Sequence, residues 1–181
     1  MSRSLLDQAI QDGQHLRAHP VRRRTRELGL PSRMPVKAGL RWLRTMGEDH
    51  KRQIRLYFEQ VWNRGDFALL RDLLAEDYVD RNSSFPQGIE GVEREMRMYR
   101  AAFPDLTFVV DDLVAEGDKV VARVSASGTQ RGDLPGIPAT GKHATMKGIV
   151  IMRFEGCKAK EAWMSYDFLG LYRQLGEMAQ Q

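Results

Sequence analysis

Cysteine and histidine are scarce in this chain, and their scarcity excludes two kinds of structural site. The single cysteine, Cys157, cannot form an internal disulfide bond. The four histidines do not combine with it into clustered Cys/His spacing, so the pattern of a zinc site is missing. We therefore expect any chemistry to be metal-free.

Apolar runs of membrane-spanning length are missing as well. The longest uninterrupted run lies near residues 149–152, far short of the roughly 20 residues of a membrane helix. The first residues lack the apolar core of a signal peptide, which predicts a cytoplasmic location. A chain of 181 residues that is 42% hydrophobic and 29% charged is typical of one globular domain with an appendage.

The net charge of +4 is concentrated at the start of the chain. Residues 1–52 hold 12 Lys/Arg and 5 Asp/Glu, whereas residues 53–181 hold 16 and 19. A basic patch is typical of a nucleic acid or another anionic partner. Because no DNA- or RNA-binding motif accompanies it, we interpret it as a solvated arm that contacts a partner or a second subunit. Nucleic acid is not expected as a partner.

The first 47 residues predict an extension outside the compact core. Residues 5–16 have apolar residues at helical spacing. Residues 19–40 mix proline, glycine and a run of arginines, which disfavours a long regular element. We expect residues 1–47 to be partly helical or disordered, and residues 48–181 to form the folded domain.

The remaining chain changes its periodicity at Pro104. Apolar spacing predicts helices over 48–63, 67–75 and 88–103, with a strand that begins near residue 76. Four β-branched or alternating runs then predict an antiparallel meander. Helices followed by consecutive strands indicate the α+β class, in which a curved antiparallel sheet wraps around helices and leaves an apolar pocket.

This order of elements and four segments resemble the SnoaL-like polyketide (ester) cyclase family of the nuclear-transport-factor-2-like superfamily. The segments are YFEQVWNRGDFALLRDLLAEDYVDR, AAFPDLTFVVDDLVAEGDKVVARVSASGT, GDLPGIPATGK and FLGLYRQLG. The resemblance covers residues from about 50 to 176. It implies a cone-shaped α+β barrel with helices in the concave face of the sheet. It also implies cofactor-independent acid/base chemistry, an aldol-type ring closure on a bulky hydrophobic carbonyl or polyketide substrate.

Asp167 lies between a strand-like run and an apolar helix-like run, and two roles fit this place. Strand alternation puts Trp163, Ser165 and Asp167 on one face, which we expect to be concave. The resemblance implies that Asp167 is the catalytic acid and base, with a pKa raised by burial. Asp is also a good helix N-cap, so Asp167 could instead begin the helix predicted at 168–175.

Arg81 and Asn82 follow the first strand. Relatives carry a histidine where this chain has Arg81, so the resemblance implies that a guanidinium replaces an imidazole in the site. It could hold an anionic or enolate oxygen, or it could pair with Asp80 or Glu90 at the surface. Asn82 could orient a substrate carbonyl or form a turn.

The wall of the pocket is predicted from its aromatic and apolar residues. Aromatic residues that a polycyclic ligand could stack on are Tyr57, Tyr99 and Trp163, although each such residue is more often core than contact. The resemblance adds Met96, Met146 and Val150 as substrate-binding residues. It also implies a homodimer formed through the outer face of the sheet.

Two further readings of the sequence stay open. The same pocket could carry out isomerisation, epoxide opening or hydroxylation. Alternatively, the protein could be a non-catalytic module that binds a small molecule or assists assembly.

Overall fold

The structure is a computed structural model that describes residues 36–176, with side chains from residue 46 onward. The expectations for the helix at 5–16 and for most of the basic arm lie outside these residues. Within the described part, no helix is both long and apolar enough to span a membrane.

The described residues form an α+β domain, which confirms the predicted class. A long helix is followed by short helical turns and one strand, and then by a second long helix, a meander and a last helix. In chain order the elements are α1 (Val36–Leu56), a π-helical turn (Tyr57–Trp62), a 3-10 turn (Phe67–Leu69), α2 (Leu70–Leu73), β1 (Leu74–Asp80), α3 (Ile89–Ala102), β2 (Thr107–Glu116), β3 (Lys119–Thr129), β4 (His143–Glu155), β5 (Lys158–Tyr166) and α4 (Phe168–Leu175).

The five strands of this part form one curved sheet in the order β1-β5-β4-β3-β2. The meander β2 to β5 is antiparallel throughout, and β1 joins β5 in parallel. Because β1 and β2 remain edges, the sheet is a curved half-cone and does not close into a barrel. Its inner face is apolar, as the alternating burial of β3 shows at Val120, Ala122, Val124 and Ala126.

Helix α1 begins at Val36, twelve residues before the start that periodicity predicted. The prolines of residues 19–40 predict a break in regular structure. However, a proline is well tolerated next to the beginning of a helix, and Pro35 lies directly before Val36. The division of the chain between residues 47 and 48 stays a prediction.

The end of the first helix widens into a π-helical turn, which the sequence analysis did not predict. In a π-helix the hydrogen bonds join residues five apart, so Tyr57 and Trp62 lie on nearly the same side. Both side chains are buried. The turn therefore directs two aromatic rings toward one place on the inner side of the sheet.

Two side chains fix the end of this turn against the rest of the domain. The Asn63 amide donates to the carbonyl of Phe108 at 2.9 Å and accepts from the Phe108 N–H at 2.7 Å. The Arg100 guanidinium of α3 donates to the carbonyls of Trp62 and Asn63. The aromatic turn is thus held to both β2 and α3.

Candidate functional site

A pocket opens between the inner face of the sheet and the helices. Its wall is mostly apolar and aromatic and contains two carboxyl groups. The lining residues are Tyr57, Trp62, Asp80, Val92, Glu95, Tyr99, Leu106, Phe108, Met146, Met164, Tyr166 and Phe168. Such a concave apolar space with a few polar groups is the usual form of a small-molecule site.

The two carboxyl groups reach the pocket from neighbouring elements. Asp80 is the last residue of β1, on the same inner face as Tyr78, and Glu95 lies in the middle of α3. Burial raises the pKa of both carboxyls above their ordinary values. These are the conditions that a proton-transfer group requires near neutral pH.

The loop between β1 and α3 holds both carboxyls. The N–H of Asn82 donates to Asp80 Oδ1 at 3.0 Å, and the Ser83 hydroxyl donates to Glu95 Oε2 at 3.1 Å. The Gln87 side chain accepts from the N–H of Asp80 and donates to its carbonyl. The loop therefore fixes the backbone of one acid and contacts the carboxylates of both.

The surroundings of the two acids shift their pKa values in both directions. Burial raises the pKa of Asp80, and the backbone N–H groups of Asn82 and Ser83 oppose this rise. Burial also raises the pKa of Glu95, while the hydrogen bond from Ser83 lowers it and the negative charge of Asp80 raises it. Ionisation of Asp80 therefore favours the protonated form of Glu95.

Three tyrosines of the wall remain protonated near neutral pH. Burial raises the pKa of Tyr99 to about 12, and it raises the pKa of Tyr57 and Tyr166 still further above the ordinary range. Tyr166, Asp80 and Glu95 all line the pocket. A protonated phenol can donate a hydrogen bond to a substrate oxygen.

The ring of Tyr166 occupies space that a glycine leaves free. Gly148 of β4 pairs directly with Tyr166 of β5, and a Cβ at position 148 would overlap the Tyr166 ring. An aromatic ring can therefore lie flat across the strand at this point. Gly148 allows Tyr166 to lie along the sheet and face the pocket.

Some of the predicted substrate-binding residues do line this pocket. Tyr57, Tyr99 and Met146 are among the lining residues. Met96 and Val150 are fully buried in the hydrophobic core and are not among the residues that line the pocket. Their predicted binding roles remain predictions.

The face assignment predicted for β5 is wrong. The pocket is lined by Met164, Tyr166 and Phe168, which alternate with the residues that were predicted to face it. Trp163 pairs with Ile151 on the outer face of β4 and does not line the pocket. Period-two alternation divides a strand into two faces but does not say which face is concave.

Asp167 is the N-cap of α4, as one of the two sequence interpretations predicted. Its side chain is exposed and accepts a hydrogen bond of 2.8 Å from the Gly170 N–H. Gly170 leaves room for this carboxylate, because a Cβ there would overlap it. Asp167 is not among the residues that line the pocket, and its acid/base role stays a prediction.

We expect Asp167→Ala to lower the free energy of unfolding by about 1 kcal/mol, because the cap is lost. Asp167→Asn should leave it nearly unchanged, since asparagine caps helices as well as aspartate does. Urea unfolding of the two variants measures both effects. Equal losses in the two variants would contradict the capping role.

Arg81 lies on the exposed side of the domain. Its guanidinium pairs with Glu161 at 2.5 Å, and Glu161 also contacts Arg153. Asn82 is exposed, and its Oδ1 accepts from the Met164 N–H at 3.1 Å, which extends the pairing of β1 with β5. Neither residue lines the pocket, so their proposed catalytic and binding roles remain untested.

Asp80 and Glu95 are the chemical groups that the sequence analysis did not select. The sequence did contain a signal for Asp80. Alternation places Asp80 on the same face of β1 as Tyr78, which is the inner face if Arg81 is on the outer one. Nothing in the pattern of α3 distinguishes Glu95 from its neighbours Glu90 and Glu93. Among the described residues, no group of three His, Cys, Asp or Glu side chains could hold a metal ion.

A curved sheet with helices in its concave face and a pocket between them defines the nuclear-transport-factor-2-like fold. The sequence profile of the SnoaL-like polyketide cyclase family matches residues 52–175. The chain therefore belongs to the SnoaL-like polyketide cyclase family, as its segments indicated.

Solved structures agree with this assignment. TsrD from Streptomyces laurentii is 35% identical, with a TM-score of 0.68 over 72% of this chain and 97% of its own. IdmH from Streptomyces antibioticus, a candidate polyketide cyclase, is 31% identical, with a TM-score of 0.62 over 70% and 98%. AclR from Streptomyces galilaeus, a candidate hydroxylase, is 24% identical with a TM-score of 0.64 over 74% and 99%, and shows likeness of fold alone. No curated protein sequence matches the chain.

Proposed function

We propose that this protein catalyses cofactor-independent acid/base chemistry, an aldol-type ring closure, on a bulky apolar carbonyl compound bound in the pocket. The observation that carries the proposal is the pair Asp80 and Glu95 in an otherwise apolar and aromatic wall. Membership of a family of polyketide cyclases supports the same class of reaction.

Because the negative charge of Asp80 raises the pKa of Glu95, we assign the two acids different roles. Ionised Asp80 removes a proton from the carbon next to a carbonyl group, and the resulting carbanion attacks a second carbonyl carbon of the same molecule. Glu95, whose protonated form the charge of Asp80 favours, donates its proton to the new alkoxide. Two carboxyl groups whose environments push their pKa values apart commonly divide acid and base roles in this way.

The aromatic wall supplies binding and charge stabilisation in this proposal. Tyr57, Trp62 and Tyr99 offer flat apolar surfaces on which fused rings can stack. The protonated phenol of Tyr166 donates a hydrogen bond to the oxygen that becomes negatively charged. A donor that is already positioned before the reaction stabilises such an oxyanion without reorganisation.

The experiment that tests this function follows exchange of the α-protons of 2-tetralone with D2O by NMR. This bicyclic ketone has an acidic carbon-bound proton and fits the apolar character of the pocket. We expect exchange that saturates with ketone and exceeds the rate in buffer. Saturable binding without faster exchange would favour the alternative of a non-catalytic binding module, while isomerisation and hydroxylation would require their own substrates.

The homodimer stays a prediction, and the outer face of the sheet supports it. Val114, Val121, Ile151 and Trp163 pair in succession across four strands and form an apolar stripe on this face. Contiguous exposed apolar surface of this kind is typical of an interface. The predicted cytoplasmic location also remains a proposal.

We expect the wild-type protein to have the mass of a dimer in light scattering at tens of micromolar, and Ile151→Glu to shift it toward the monomer. A charge in the centre of an apolar interface is costly when it has no partner. Ala139→Glu, in an exposed loop, is the control and should leave the mass unchanged. A monomeric wild-type protein would contradict the proposed interface.

A further inference from the structure

A second, smaller chamber lies next to the pocket, between the sheet and α4. Leu106 and Met146 belong to the walls of both spaces. The two spaces are therefore neighbours that these two side chains separate. The chamber is lined by Phe103, Leu106, Ala126, Ser127, Gly128, Ala144, Met146 and Leu171.

Small residues on the inner face of the sheet create this chamber. In the register of β3 and β4, Ala126 lies opposite Met146, and Gly128 lies opposite Ala144. Three of these four neighbours are alanine or glycine, so only Met146 has a long side chain that extends from the sheet there. Buried Leu171 of α4 forms the opposite wall.

Met146 is suited to act as a movable partition. Its side chain is unbranched and has several rotatable bonds, so it adapts to neighbours of different shapes at little cost. Met146 is also only half-buried, whereas Ala126 and Ala144 are buried. A change of its rotamer would join the chamber to the main pocket.

We propose that the chamber receives an apolar extension, an alkyl chain or a pendant ring, of the molecule whose carbonyl group lies at Asp80 and Glu95. This inference rests on the proposed function, because it extends the same site. The residues that line the chamber carry no charge. An apolar group is therefore favoured there over a charged or strongly hydrated one.

The test is a homologous series of 2-naphthyl ketones, from methyl to pentyl, binding to the full chain. Binding is measured by quenching of tryptophan fluorescence. We expect each added methylene to tighten binding by about fourfold, as for complete burial of a CH₂ group. The gain should stop once the chamber is full.

The variant Ala144→Leu fills the chamber without touching the main pocket. We expect it to bind the methyl ketone as the wild type does, within about twofold, and to lose the gain with chain length. The smaller replacement Ala126→Val serves if Ala144→Leu does not fold. In Leu171→Ala, which enlarges the chamber, the gain should continue to longer chains.

The outcomes separate this inference from the proposed function. If no ketone of the series binds, the proposed function fails and the chamber fails with it. If the methyl ketone binds but longer chains add nothing, only the chamber is overturned. A gain with chain length that persists in both filled variants would also overturn it, because the chains would then lie elsewhere.

Discussion

Asp80→Asn is expected to slow α-proton exchange of 2-tetralone by about 10²–10⁴-fold, the usual contribution of a positioned general base. Asparagine keeps the shape of the side chain and can still accept from the Asn82 N–H, so the loop should hold its conformation. Rates at several pH values, with affinity measured separately, distinguish lost chemistry from lost binding.

Glu95→Gln should produce a smaller loss of rate, because the amide can still donate a hydrogen bond to the substrate oxygen. It should also remove the decrease in rate at high pH, since that decrease reflects loss of the Glu95 proton. In Asp80→Asn the pKa of Glu95 should fall, because the nearby negative charge that raised it is absent. An NMR titration of the Glu95 carboxyl measures this change directly.

Each variant has a matched control on its own element. Asp77→Asn changes an exposed acid of β1 that pairs with Lys160, and Glu93→Gln changes an acid of α3 that pairs with Arg97. Both controls should exchange 2-tetralone at the wild-type rate. Wild-type exchange in Asp80→Asn would overturn the role of Asp80. If Asp167→Asn keeps its cap and loses exchange, the acid role predicted for Asp167 is supported instead.

The same raised pKa values affect stability. A carboxyl whose pKa is raised in the folded state stabilises the fold below its ordinary pKa, and this contribution is lost as pH rises through the folded value. Glu95→Gln should therefore gain stability relative to the wild type between pH 4 and pH 7. Thermal unfolding at the two pH values provides this check on the burial of Glu95.

The second large effect is expected from Gly148→Ala. The added Cβ overlaps the Tyr166 ring, so the ring must leave its place along the sheet. Overpacking of this kind costs about 1–3 kcal/mol of unfolding free energy. Since Tyr166 faces the pocket, affinity for 2-tetralone should fall as well. Urea unfolding and ligand binding measure the two losses.

The pair Gly148 and Tyr166 can be tested by a double-mutant cycle. In a Tyr166→Ala background, the Cβ added at position 148 has free space, so most of the destabilisation by Gly148→Ala should disappear. Tyr166→Phe keeps the ring and should keep stability while slowing exchange, because only the hydroxyl is lost. Additive effects in the cycle would show that the ring does not occupy the space above Gly148.

Most of the fold was predictable because the spacing of apolar residues indicates where helices and strands lie. The helix at 88–103 and the helix predicted at 168–175 lie where α3 and α4 are observed, and the β-rich region after Pro104 forms the meander. The long α1 was underestimated because Pro35, which directly precedes it, was interpreted as a breaker. The sequence contains no local signal for the π-helical turn, because period alone does not distinguish one widened turn.

The sequence by itself determined the class of fold, the family and the apolar character of the pocket, and it gave capping as one of two roles for Asp167. Each of these depends on neighbours along the chain. The tertiary structure alone decided which face of β5 is concave, and that Asp80 and Glu95 meet in one pocket while Arg81 pairs with Glu161 outside it. Curvature of the sheet and packing of α3 decide these relations, because they bring together residues that are distant in the chain. Alternation separates the two faces of a strand but does not say which face is concave.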